Sequence, residues 1–181
     1  MKAGVVHARG DIRYEDIEKP QPKPGEVLIK VKYTGICGSD IPRVNADAAH
    51  YYPIVLGHEF SGTVEEVGRG VESLKAGDRV AGIPLEPCME CDDCRRGDFS
   101  LCRHYAFIGS RIFGSFAEYV CVPEANALKI DDDVSFEQGA LFEPATIALH
   151  GLERVPYYGG RTVAIVGAGT IGLLTLQFAK I

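Results

Sequence analysis

"CMECDDCRRGDFSLC", Cys88 to Cys102, is the stretch on which the reading of this chain turns. Its four cysteines, Cys88, Cys91, Cys94 and Cys102, follow C-x2-C-x2-C-x7-C. Thiolates two residues apart wrap one tetrahedral ion, and four of them close a structural zinc site. The block Pro87 to Cys102 has almost no aliphatic side chains. It cannot build a core of its own, so ligand energy has to replace one. Four loop cysteines without a metal would be prone to oxidation. Bacterial ferredoxins share C-x2-C-x2-C but continue with x3-C-P; here the gap is seven residues and Arg103 follows. The pattern therefore points to zinc. Cys121 is left over on an apolar run, where it reads as an inert core residue.

Outward from this lobe the chain is rich in strands and turns. "MKAGVVHARGDIRYEDIE" predicts two short strands joined at Arg9-Gly10-Asp11, and the proline-rich "KPQPKPGE" predicts a loop. "EVLIKVKYTGIC" alternates Val27, Ile29, Val31 and Tyr33 against polar residues, a half-buried strand. "FSGTVEEVG", "GDRVAG" and "GSFAEYVCVP" predict further strands. "SFEQGALFEPATIALHGLERV" predicts a helix capped by Ser135 and kinked or interrupted at Pro144. His150 on that apolar helix reads as core, while His7 and His104 have no functional case. The first 130 residues thus describe a β-barrel-like domain without internal repeats.

The totals narrow the function. A net charge of −6 leaves no footprint for nucleic acid. There is no apolar run near 18 residues and no signal-peptide core, so no membrane partner is expected. Six cysteines without secretory cues imply a reducing, cytoplasmic setting.

Three short segments carry a second set of metal-ligating groups. "TGICGSD" supplies Cys37 and Ser39, "LGHEFSG" supplies His58 and Glu59, and "FEPAT" supplies Glu143. One thiolate, one imidazole and two carboxylates suit a catalytic zinc with an open position. Spacing alone does not bring them together.

Near the end, Gly167, Gly169, Thr170, Ile171 and Gly172 fit G-x-G-x-x-G after the apolar "TVAIV", where a strand is expected, and open a helical run. That is the context of a dinucleotide-binding turn. The acidic residue expected about 20 positions later is absent, because the sequence stops at Ile181. The chain reads as the N-terminal piece of a protein about twice as long, holding both metal sites but binding a dinucleotide poorly. The edge of the lone strand would pair with something, such as a second copy.

Taken together, "GICGSD", "GHEFSG", the four-cysteine lobe, "EP" and "VGAGTIG" resemble the zinc-containing medium-chain alcohol and polyol dehydrogenases. "AHYYPIVLGHEFSG" and "FIGSR" resemble the branch acting on galactitol 1-phosphate and sorbitol. The resemblance implies a mainly β fold with α: a GroES-like catalytic β-barrel over residues 1–150, followed over 151–181 by the first βα unit of an incomplete Rossmann domain. It implies Cys37 and His58 as ligands of a catalytic zinc, with Glu59 and Glu143 as ligand or holder of the bound water. Cys88, Cys91, Cys94 and Cys102 would hold a second, structural zinc. Alcohol dehydrogenases proper carry cysteine where Glu143 stands, which favours the polyol branch. The implied reaction is hydride transfer from a secondary alcohol of a polyol or sugar phosphate to NAD, with NADP as the alternative. Ser39 would relay the proton and His50 would extend the relay. Arg43 and Arg111 are the candidates for a substrate phosphate. At full length a homo-oligomer, dimer or tetramer, is expected. The competing readings are a threonine or simple alcohol dehydrogenase and a catalytically silent zinc-binding or assembly module. Quinone reductases share the fold, but the cysteine lobe counts against them.

Overall fold

A computed structural model of the chain describes residues 1–155, 160 and 162–181. Strands β1 (Lys2–Ala8) and β2 (Asp11–Asp16) form the expected hairpin around Gly10. β3 (Glu26–Gly35) follows the proline-rich loop, and a six-residue helix, α1 (Asp40–Asn45), follows the "GICGSD" turn. β4 (Ile54–Val55), β5 (Glu59–Val67) and β6 (Arg79–Gly82) come next. The cysteine lobe lies between β7 (Leu85–Glu86) and β8 (Ala106–Phe107) and contains the single-turn helix α2 (Asp92–Arg95). β9 (Tyr119–Pro123) and β10 (Ala127–Lys129) complete the strands.

The strands form an antiparallel five-stranded sheet in the order β10-β6-β5-β3-β9, a three-stranded sheet β2-β1-β4, and the pair β7-β8. Val27, Ile29, Phe60, Val64, Val80 and Val120 make the main core, all at most 3% exposed. A second cluster joins the sheets, with Ala3, Val5 and Val55 packed on Phe116. Branched and aromatic side chains on paired strands bury well on a pleated face, so the sequence and the sheet agree here.

Strand β3 departs from simple alternation. Val27, Leu28 and Ile29 are all buried, while Tyr33 is 46% exposed. The register with β5 slips between Leu28 and Ile29 and again between Val31 and Tyr33. Each bulge re-aims the side chains beyond it, so a period-2 reading fails past the first one. The "GSFAEYVCVP" run is strand only from Tyr119. Cys121 lies on the face opposite the buried Val120 and Val122; it is half-buried and not a core residue, and burial pushes its thiol up to about 11.

The expected helix is two helices, α3 (Phe136–Ala140) and α4 (Phe142–Glu153). Ser135 caps the first in a capping box, its hydroxyl accepting from the Gln138 amide while Gln138 accepts from the Ser135 amide. The break falls at Leu141. Pro144 has no N–H for the Ala140 carbonyl, and its ring would clash with it, so the helix restarts with proline in its first turn. α4 buries Pro144 and Ala148 four residues apart. His150 points elsewhere and is exposed, which corrects the core reading; it accepts from Arg154 at 3.3 Å.

Helix α5 (Thr170–Phe178) forms as expected and packs along α4. The "TVAIV" run does not form a strand: Thr162–Ala168 join no ladder, and Val166 is fully exposed. Arg161 lies outside the described residues. A parallel strand needs neighbours on both sides, and none of the described strands pairs with this run. Among the described residues no helix is long and apolar enough to cross a membrane.

Candidate metal centres

The four sulfurs of Cys88, Cys91, Cys94 and Cys102 all lie within 4.8 Å of one another. A tetrahedral zinc with bonds of about 2.3 Å needs sulfur–sulfur edges of about 3.8 Å; the Cys88 and Cys94 sulfurs stand 3.9 Å apart. The lobe also supplies the amides that thiolates require. The Cys91 amide donates to Cys88 Sγ at 3.4 Å and the Cys88 amide to Cys102 Sγ at 3.2 Å. Amides of Cys94 and Arg103 hold the Cys91 thiol down at about 6, and the Cys88 amide lowers Cys102, while burial pushes Cys94 up to about 12. Buried Asp93 pairs with Arg96 at 2.5 Å and Arg103 at 3.4 Å, tying the middle of the lobe to its C-terminal end. Sequence reading did not single out Asp93; its position between the second and third ligand spacings was the available signal. The geometry and the donor set both fit a structural zinc.

The second centre is made by strand register. Gly35, the last residue of β3, pairs with Glu59, the first of β5. Cys37, two residues past one strand end, therefore stands beside His58, just before the other. Ligand atoms of Cys37, His58 and Glu59 lie within 4.8 Å of one another, with His58 and Glu59 buried at 4% and 6% exposure. Burial lowers the His58 pKa, partly offset by Asp40, and raises that of Glu59. Such groups favour a buried cation as partner. The absent Cβ of Gly35 opens the space filled by the Glu59 carboxylate; a methyl there would overlap Glu59 Oε2. Gly57, at φ +92°, makes the turn into His58, and a Cβ would strike Phe116.

Asp40 is the residue that sequence reading passed over at this centre. It is 2% exposed, and its Oδ1 faces His58 Nδ1 at 3.7 Å. Its Oδ2 accepts from the Cys37 amide at 3.1 Å. Among the described residues, His58 Nδ1 is the buried side-chain polar atom without a hydrogen bond. A carboxylate behind a histidine is the arrangement that orients metal-ligating imidazoles, and the last residue of "CGSD" was the signal. The set fits a divalent metal with one thiolate, one imidazole and one carboxylate.

The other expected residues fall around this centre. Glu143, in the first turn of α4, is outside the mutual 4.8 Å set. Burial, with the charge of Glu59, pushes its carboxyl up to about 7. Exposed Ser39 donates its amide to Cys37 Sγ at 3.5 Å, and its side chain makes no capping bond to α1. His50 is exposed. Arg111 is exposed and lies over the Tyr105 ring at 4.5 Å, whereas Arg43 is folded in against Ser39 and Ser110. Phe107 meets the His58 ring edge-on at 5.5 Å and borders a cavity of about 810 Å³. Ile83, Leu85, Leu128, Ile147 and Glu143 line the same cavity. In the fingerprint, Gly167 is at φ +108° and a Cβ on Gly172 would overlap the Gly167 carbonyl, so both glycines are required by the turn. Gly169 precedes the first turn of α5, which begins at Thr170 and Ile171.

Residues 23–132 match the family described as the alcohol dehydrogenase GroES-like domain, and the chain belongs to that family. It is 46% identical over 180 residues to galactitol 1-phosphate 5-dehydrogenase of Escherichia coli K12, covering 99% of this chain and 52% of that protein. The crystal structure of galactitol-1-phosphate dehydrogenase from Escherichia coli superposes with a TM-score of 0.95 at 45% identity, over 99% of this chain and 52% of that one. A cobalt- and zinc-bound thermostable alcohol dehydrogenase from Pyrobaculum aerophilum superposes with a TM-score of 0.92 at 34% identity, over 99% and 56%. The chain thus spans about half the length of the relatives it matches.

Proposed function

We propose, from membership of the alcohol dehydrogenase GroES-like family, that residues 1–150 form the zinc-holding domain of a dehydrogenase and that residues 151–181 open its dinucleotide-binding unit. The enzyme oxidises a secondary alcohol of a polyol or sugar phosphate, of the galactitol 1-phosphate kind, and passes hydride to NAD or NADP. The observation that carries this reading is the convergence of Cys37, His58 and Glu59 within 4.8 Å at the β3–β5 junction. Cys37, His58 and Glu59 hold the catalytic zinc, with Glu143 beside them, and the four lobe cysteines hold a second. When bound, zinc supplies Lewis acidity toward the alcohol oxygen and the nicotinamide supplies the hydride acceptor.

The chain's own residues then have separate tasks. Asp40 orients the His58 ring. Ser39 takes the proton released by the alcohol and passes its own onward, with His50 as the next station. Glu143, held near neutral by burial, presents a carboxyl at the cavity wall. Of the two candidate cations for a substrate phosphate, Arg111 is exposed and takes that task, while Arg43 is turned inward onto Ser39 and Ser110. Backbone amides at Gly169–Ile171 face the pyrophosphate, and Gly167 and Gly172 allow the close approach. The assembled protein is a homo-oligomer.

Metal analysis tests the reading directly. The chain should hold two zinc ions; H58A should lose one and C94S the other. A wild-type chain that holds only one ion, lost in C94S and unaffected by H58A, would leave a structural module and overturn the enzyme assignment. The apolar lining of the cavity beside Glu143 favours one second reading, oxidation of a simple alcohol. A substrate panel on the intact protein that carries this chain separates the two: higher kcat/KM on the sugar phosphate supports the first, higher kcat/KM on butanediol-like alcohols the second.

A further inference from the structure

Arg43 makes contacts that recognition of a phosphate does not require. Its side chain is only 18% exposed. Nη1 donates to Ser39 Oγ at 2.7 Å and reaches Asp40 Oδ1 at 3.5 Å. Nη2 donates to Ser110 Oγ at 3.3 Å, and Ser110 is itself 5% exposed. The Arg43 carbonyl accepts from the Tyr52 hydroxyl at 3.3 Å. The guanidinium therefore spans from the "CGSD" turn to the "FIGSR" turn and is held at both ends.

We propose that Arg43 is a positioning residue that sets the direction of the Ser39 hydroxyl, with Ser110 as its anchor. This rests on the dehydrogenase reading, in which Ser39 relays the substrate proton. Arginine has donors and no acceptor, so in the Arg43–Ser39 bond the serine oxygen is always the acceptor. One lone pair of Ser39 Oγ is thereby occupied, and its hydrogen must point away from the guanidinium. A hydroxyl that would otherwise rotate freely is left with one lone pair and one hydrogen sharing the two directions away from the guanidinium. The alcohol O–H proton moves to the free lone pair as the serine's own hydrogen passes onward, by way of His50 to solvent, so Ser39 ends neutral and no proton is unaccounted for. The bond is charge-assisted and short, which suits a fixed orientation. The Ser39 backbone N–H also donates to Cys37 Sγ at 3.5 Å, which ties this residue to the proposed metal ligand. Ser110 is too deeply buried to meet substrate, and its role is to hold the second arm of the guanidinium.

The test compares R43Q, R43K and S110A in the intact zinc-loaded protein that carries this chain. General acid–base relays contribute a factor of about 100 or more. Losing only the orientation should lower kcat about tenfold in R43Q and about threefold in S110A, with KM changed less than about twofold. The solvent deuterium isotope effect on kcat should rise in both, and R43K should recover part of the loss. Unchanged kcat and isotope effect in R43Q would overturn the proposal. So would a loss confined to KM for a phosphorylated substrate and absent for its dephosphorylated counterpart, which would make Arg43 a phosphate contact. Cobalt-substituted R43Q should keep the wild-type absorption bands; altered bands would instead place Arg43 in the construction of the metal site. If the wild-type protein oxidises no alcohol, the dehydrogenase reading itself fails. Nitrogen-15 NMR of the Arg43 side chain in the 181-residue chain then judges the clamp alone. Slow Nη rotation lost in S39A and S110A supports it, and free rotation in the wild type sinks it.

Discussion

Adding one methyl group at Gly35 tests the proposed Cys37–His58–Glu59 metal centre separately from the fold that carries it. A Cβ there would overlap Glu59 Oε2 and stand 3.1 Å from Glu59 Cβ and 3.3 Å from its Cδ. Gly35 is not in the left-handed region, so alanine meets no backbone strain. The main obstacle is the far end of a flexible side chain, and the carboxylate can swing aside by roughly 1 Å, while the approach to Glu59 Cβ asks the strand pair to give by a few tenths of an ångström. G35A should therefore cost less than about 1 kcal/mol of stability, and reduced freedom of the unfolded chain offsets part of that. A zinc–carboxylate bond of about 2.0–2.2 Å does not survive such a displacement. The Cys37–His58–Glu59 centre loses a ligand, and its affinity should fall at least about a hundredfold, beyond the 10–100-fold range of outer partners. The four-cysteine site is untouched. Metal titration with a chromophoric chelator, alongside urea melts, reads both quantities. Gly38, whose Cβ would meet nothing within 4 Å, provides the control in G38A. If G35A keeps both metals at wild-type affinity, or if it unfolds the chain, the role given to Glu59 is wrong.

Three further outcomes follow from the packing and electrostatics. Phe60 is 1% exposed at the centre of the main core, and F60A should lose about 3–5 kcal/mol, seen as a lower urea midpoint. Removing the Ser135 cap in S135A should cost about 1 kcal/mol, and an equal loss in S135D, which keeps a capping oxygen, would argue against the capping bond. The Asp78 pKa is depressed below its usual 3.8 by the Lys129 ammonium at 3.0 Å and the Lys75 amide at 3.1 Å. A depressed carboxylate stabilises the fold above its unfolded value and stops doing so as pH falls through the folded one. The stability gap between wild type and D78N should therefore be full at pH 6 and shrink below about pH 4; a gap that does not change with pH would exclude the ion pair as its source.

The glycine turns, the β1–β2 hairpin, the Ser135 cap and the four-cysteine spacing could be read directly from the residues, because each depends on neighbours within a few positions. The same holds for the fingerprint turn, where Gly167 and Gly172 meet each other. Period-2 reading failed along β3 because bulges are a property of the pair of strands and leave no mark on one of them. It failed at Cys121 and His150 because an apolar neighbourhood in sequence does not say which face is covered. "TVAIV" is apolar enough for a strand, yet a strand exists only with partners.

What the amino-acid order determined alone was the kind of chemistry: thiolates at tetrahedral spacing, and one more cysteine, histidine and glutamate suited to a divalent ion. Only the tertiary structure decided that this second set meets, since Cys37 and His58 are brought together by the Gly35–Glu59 register of an antiparallel pair. It also decided that Asp40 backs the histidine and that Arg43 is turned inward onto Ser39. Local spacing reports on groups a turn apart. Groups joined across a sheet are set by hydrogen-bond register and by which neighbours exclude water, and neither is written in any short run of residues.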